Sequence, residues 1–175
     1  MKGSKVTIKD GTIKVISPEC AILIQNFSDE LILDNVKLQG KAATQYILSN
    51  NYGHVVLKNG TSVKSSSGHI ALDAHYGLSE EYDDGVTVEI EDSSVVVTGP
   101  VEFTKESRIT DESQFLEKAH FIVPADYEGI TPPEGFEFKV LESDPTKKEL
   151  RPVEVTTSET ETSEEVKEEV ETPAE

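Results

Sequence analysis

Residues 5–26 read KVTIKDGTIKVISPECAILIQN. Short apolar-polar alternations are broken by Asp10-Gly11 and by Ser17-Pro18-Glu19. The stretch therefore reads as strand, turn, strand, turn, strand, with no helix signal and no hairpin signal. Strands this short need partners, and the rest of the chain supplies them. VTIKDGT at 6–12, LILDNVK at 31–37, VVLKNGT at 55–61 and VEIEDSS at 88–94 share one pattern. Each has an apolar residue, any residue, an apolar residue, a polar residue, then Asp or Asn. The matched Asx positions are Asp10, Asn35, Asn59 and Asp92, spaced by 25, 24 and 33 residues.

A second set of segments repeats the period. AILIQN, QYILSN and HIALDA align Ile22, Tyr46 and Ile70 in one column, and Ile24, Leu48 and Leu72 in the next inward column, each 24 residues apart. PVEFTK continues the columns with Val101 and Phe103 after 31 residues. A looser third column holds Ile13, Leu38, Val63 and Val95. Both alignments place one insertion in the same interval, within HYGLSEEYDDG at 75–85. A fixed period of this size is the mark of a repeat architecture.

Each strand is expected to pair in parallel with its counterpart one repeat on, so that the chain climbs as a solenoid. Apolar columns then stack into a continuous core. Asp10, Asn35, Asn59 and Asp92 form a structural Asx ladder at one corner, where Gly, Asn, Asp and Ser tolerate the left-handed backbone a sharp turn needs. An antiparallel β-sandwich would leave the 24-residue recurrence unexplained. The fold class is all-β: a short parallel β-helix of about four coils, with a small C-terminal α+β cap or docking region and an acidic tail.

The pattern resembles the right-handed parallel β-helix of the pectate-lyase-like superfamily, over about 100 of the 175 residues. The likeness rests on periodicity, Asx-Gly turns and stacked Ile, Val and Leu. It implies a groove along one face and, in the enzymes of that group, acid or lyase chemistry on polysaccharide. Lyases there use Ca²⁺ held by carboxylates and a basic proton abstractor, usually Arg. The coils here hold no Arg, since Arg108 and Arg151 both lie beyond them. Polygalacturonase-like sites add a Gly-His-Gly and an Arg-x-Lys. Asp83-Asp84 and His69 occur here in reversed order, without the basic motif. No enzyme, catalytic residue, cofactor or metal is therefore expected.

Three regions follow: residues 1–106 as the β-helix, 107–153 as the cap or docking region, and 154–175 as a disordered acidic tail. In the second, TDESQFLEKAH reads as a short helix capped by Thr110 or Asp111, and HFIVP, FEFKVLE and LRPVEV read as strands. In the third, nine Glu face one Lys with Thr and Ser between them.

Composition narrows function. The net charge is −18, from 34 acidic against 16 basic residues. Such a chain repels nucleic acid and anionic membranes over most of its surface, and no basic patch stands out. Cys20 is the only cysteine, beside the apolar run Ala21–Ile24, and is expected as a small buried apolar side chain. No signal-peptide pattern and no membrane-length apolar run is present. The most unusual local feature is the insertion, whose Tyr76, Glu80, Glu81, Tyr82, Asp83 and Asp84 are candidates for a protruding contact loop.

A stack of four coils has two ends. The cap region can cover one, whereas the first strand begins near Lys5, so the other is expected to be covered by a partner or another copy. These features suit a non-enzymatic structural protein of a larger assembly. The expectation is a virion component (capsid decoration, head fibre or tail-associated protein) made in a host cytoplasm. Its partners would be other virion or assembly proteins and copies of itself, a trimer being favoured. Two alternatives are a carbohydrate-binding or polysaccharide-degrading β-helix module and an acidic mimic that occupies a basic nucleic-acid-binding surface.

Overall fold

A computed structural model describes residues 3–17, 19–42, 44–66, 68–77 and 84–154. The chain is a β-solenoid of about four turns with one short helix. The first coil holds β1 (Lys5–Lys14) and β2 (Ile22–Asn26), the second β3 (Glu30–Gln39) and β4 (Tyr46–Asn50). The third holds β5 (Gly53–Lys58), β6 (Ser62–Lys64) and β7 (Ile70–Tyr76). The fourth holds β8 (Val86–Ile90), β9 (Val96–Thr98) and β10 (Val101–Lys105). In the first two coils one 10-residue strand runs through the Asx corner, where the later coils have two separate strands.

Every pairing within the coils is parallel and joins one coil to the next. Ile8 meets Leu33, Leu33 meets Leu57, and Leu57 meets Ile90. Ile24, Leu48 and Leu72 stack likewise on the other sheet. Leu33, Leu48, Leu57 and Leu72 are fully buried, each worth about 1.5–3 kcal/mol of transfer free energy. The core is therefore a set of vertical columns running along the axis.

Three expected alignments are corrected. Val101 pairs with Leu72 and Phe103 with Ala74, two residues from the expected register. Val63 pairs with Val97, while Val95 follows Thr61 at the corner. The cause is a compensated insertion. The offset from the third coil to the fourth is 33 residues on the first face, 34 on the second and 29 on the third. The long insertion before β8 is followed by one extra corner residue and then by a shortened loop before β10. Third, the Ile22–Tyr46–Ile70 column pairs as expected but is only half buried, and Ile47 and Ala71, one residue on, are fully buried. Cys20 is also part-exposed, and its thiol donates to the Ile22 carbonyl at 3.1 Å.

The Asx residues do share one corner. Asp10, Asn35 and Asn59 adopt φ of 52°, 55° and 53°, a left-handed conformation that Asn and Asp tolerate better than other L-residues. The Asn35 amide donates to the Asp10 carboxylate at 2.8 Å. The Asn59 amide instead donates to Asp34, also at 2.8 Å, and Asp92 accepts the Asn59 backbone N–H at 2.7 Å. The ladder is thus cross-linked through Asp34 and the backbone rather than a single file of side chains.

After the fourth coil, α1 (Glu112–Lys118) is N-capped by Asp111, which accepts the N–H groups of Ser113 and Gln114. β11 (Ala119–Pro124) then lies parallel on β8 as a partial fifth rung, with Phe121 over Val88. β12 (Phe136–Val140) and β13 (Lys147–Pro152) add an antiparallel pair beyond it. The ring of Phe103 meets Phe115 of α1 at 4.9 Å and Phe136 of β12 at 5.3 Å between centroids. Buried Tyr127 donates to the Val95 carbonyl. The apolar interior is closed at this end. The expected acidic tail, apart from Glu154, lies outside the described residues.

Candidate functional site

Of the expected contact loop, Glu80, Glu81, Tyr82 and Asp83 lie outside the described residues. Tyr76 does not belong to a contact surface. It ends β7, pairs with Lys105 and is 1 % exposed within the core. Alternation carries its ring inward before the insertion departs. Asp84 is exposed and accepts from the buried Tyr52 hydroxyl at 2.9 Å. Burial, with this carboxylate, pushes the Tyr52 phenol well above its ordinary value. Asp84 and Tyr52 line a cleft of about 270 Å³ with Asp29, His54 and His120. Both imidazoles there already have carboxylate partners. His54 Nε2 lies 2.8 Å from Glu89, and His120 Nδ1 lies 2.5 Å from Glu149. Among the described residues, no group of three or more His, Cys, Asp or Glu is placed to hold a metal ion.

These pairs pin the outer face of the first sheet. Glu89 accepts from His54 and from Lys147 at 2.6 Å, and Glu149 binds His120 and Arg151. The hydrogen bond from His54, helped by Lys147, overcomes burial and holds the Glu89 carboxyl down at about 2. Lys147 reaches Glu89 across β11, so the network staples the cap to the coils.

The outer face of the second sheet carries a polar cluster. Asp73 is 4 % exposed and accepts from Ser49 at 3.0 Å and from Thr104 at 3.4 Å. Burial pushes its carboxyl up to about 6, against the bonds from Ser49 and Thr104. Glu102 sits beside it on the next rung. The Tyr46 hydroxyl donates to Glu102 at 3.3 Å, and both line a shallow cleft with His69. Two carboxylates on neighbouring rungs suggest glycoside chemistry. One of them, however, is enclosed with both oxygens bonded, so it cannot reach a glycosidic oxygen.

The remaining feature is the first coil. On their outward edges β1 and β2 have no strand partner among the described residues. Val6, Ile8, Ile13 and Ile24 continue the columns of Leu31, Leu33, Leu38 and Leu48. The latter four are buried, whereas Val6 is 42 % exposed and Ile8, Ile13 and Ile24 are only partly covered. Ile16 and Phe27 add exposed apolar surface at 81 % and 37 %.

This end also differs in charge. Residues 1–64 carry eight Lys against five acids, residues 65–154 carry seven basic residues against 21 acids, and residues 155–175 carry one Lys against eight. Because the coils stack in chain order, basic residues are spread along the axis while the acids concentrate toward the closed end, so the charge balance turns positive only toward the open one. Lys5 and Lys9 lie 3.6 Å from Glu30 and Asp34, with their side chains 74 % and 64 % exposed. Lys41 donates to the Ile16 carbonyl at 2.6 Å. The total charge alone does not show this segregation, whereas counts along the chain do.

Comparison with known proteins returned no match among family models, curated proteins or solved structures.

Proposed function

We propose that this chain is a non-enzymatic structural protein that docks into a larger assembly through its open first coil. The observation that carries the reading is the asymmetry of the two ends. The interior is sealed by Phe115, Phe136 and Tyr127 at one end and left as half-exposed columns with free strand edges at the other. Free edges with apolar residues beneath them are templates for another strand or subunit. A rigid rod that offers one adhesive end and one closed, acidic end suits a component projecting from a particle surface. The β-helix likeness makes a virion component, such as a capsid decoration or head fibre, the favoured assembly, with copies of itself, a trimer being favoured, among its partners. This step is an analogy of fold.

The test is co-sedimentation of the full chain with particles purified from the cells that make it. Binding is expected for the parent and not for Val6→Asp/Phe27→Ser. Binding that is unchanged by that double variant removes the open end from the reading, and no binding to any particle ends it.

The cleft of Tyr46, His69 and Glu102 favours a second reading, a carbohydrate-binding or polysaccharide-degrading β-helix module of the pectate-lyase-like kind. Turnover of polyuronate with added Ca²⁺, lost in Glu102→Gln, would establish it. Polyuronate left intact under those conditions rejects its lyase form.

A further inference from the structure

We infer that the free edge of β1 is the docking site for the chain's own acidic C-terminal segment, residues 155–175, which a partner must displace. The inference rests on the docking function proposed above and names what holds that surface until a partner arrives.

Charge selects this occupant. Residues 1–64, which cover the first two coils and the start of the third, are net positive by three, and residues 155–175 are net negative by seven. Lys5, Lys9 and Lys14 all lie on the strand that offers the edge, and Lys5 and Lys9 keep most of their side chains in water. A second copy meeting this one end to end would set the same lysines against each other, which costs free energy. An acidic strand neutralises them while its backbone satisfies the β1 edge.

Length permits it. The described chain reaches Glu154, two residues past β13. From β13 the first sheet runs through β11, β8, β5 and β3 to β1. These five spacings of about 4.8 Å come to about 24 Å. The 21 residues beyond Glu154 can span at most about 70 Å when extended. Crossing the five spacings takes about seven of them, which leaves about 14 to lie along β1, and those carry six Glu against one Lys.

Cys20, the only cysteine, is part-exposed in the first coil and gives a single attachment point for a nitroxide. The experiment is paramagnetic relaxation enhancement on the full-length, isotope-labelled chain. Amide signals of residues 155–175 are expected to lose several-fold more intensity at low salt than those of α1. The loss should vanish at high salt and in Lys5→Gln/Lys9→Gln/Lys14→Gln, whose circular dichroism should match the parent. Mixing a nitroxide-labelled chain without isotopes with an isotope-labelled Cys20→Ser chain tells an intramolecular contact from an intermolecular one: tail signals unaffected in the mixture support docking of the chain's own tail, and loss there overturns it in favour of the tail of a second copy. Tail signals of the unmixed labelled chain that stay unaffected at low salt also overturn it. So does protection of β1 amides by a second copy that persists when the tail Glu are replaced by Gln. If the tail is unaffected yet Val6→Asp/Phe27→Ser abolishes particle binding, this inference fails and the docking function stands. If the tail docks yet no particle binds, the reverse holds.

Discussion

The Asn26 side-chain amide donates to the Asn50 carboxamide oxygen at 2.9 Å, one coil above it and inside the solenoid. Both residues are buried. Asn26 also donates to the Tyr52 carbonyl and accepts from Ser28, and Asn50 donates to the carbonyls of Gly53 and Thr87 at 2.9 Å each. Each side chain replaces the backbone partners that the chain loses as it leaves the second sheet.

Asn50→Ala should cost about 2–4 kcal/mol, because it strands buried carbonyls at two coils and opens a cavity. Denaturant unfolding measures it. A loss under about 1 kcal/mol would mean that water replaces the amide.

The exposed Asx corner should be less sensitive. Asn59→Leu forces a branched side chain into φ near +53° and removes the bond to Asp34, for about 1–2 kcal/mol. Asn59→Gly keeps the backbone and should cost less than half as much in the same titration.

Buried charge should reveal the gradient along the axis. Leu48→Asp, in a fully buried position, should abolish cooperative unfolding. Ile24→Asp, one rung lower in the half-open coil, should leave a folded protein with a reduced Tm. Equal damage at both positions would mean that β2 is covered in solution as well.

Glycines separate by space. A Cβ on Gly53 would lie 2.3 Å from the Ser28 carbonyl oxygen, whereas one on Gly60 meets nothing within 4 Å. Both have positive φ. Gly60→Ala should cost about 1 kcal/mol, and Gly53→Ala several times more, read as a difference in thermal midpoint.

Stability should peak in mildly acidic solution. Asp73, pushed up to about 6 by burial, binds its proton sooner folded than unfolded, so stability rises as pH falls from about 6 toward 4. Glu89, held at about 2 chiefly by its bond from His54, stabilises above the unfolded Glu value of about 4.3, and that contribution is lost as pH falls toward 2. Each is worth on the order of 2 kcal/mol. The Tm should therefore be highest near pH 4–5. Asp73→Asn should remove the rise between pH 7 and 5 and leave the acid fall intact. A parent profile flat from pH 7 to 5 would contradict the enclosure of Asp73.

Residues 5–76 disclosed their own stacking. A parallel coil must bring like residues over like, so a 24-residue recurrence of Ile, Leu and Asx is both the cause of the register and its visible trace. The helix cap at Asp111 was legible for a similar reason, since capping is local. Past Tyr76 the period breaks. An insertion, an extra corner residue and a shortened loop partly cancel, and an alignment by spacing alone reads them as a single insertion. Only the pairing of Val101 with Leu72 resolves them. At the second sheet the spacing puts Tyr46 and Leu48 in inward columns, and Leu48 is enclosed while Tyr46 is half buried with Ile47 enclosed beside it. The inward Asn26–Asn50 link was hidden as well, because a polar residue in an apolar run signals nothing until its backbone partners are placed. The open, lysine-bearing end is the clearest case. Its charges are plain in the chain, but the turn of the balance to positive at one pole follows from stacking order, which only the assembled coils provide.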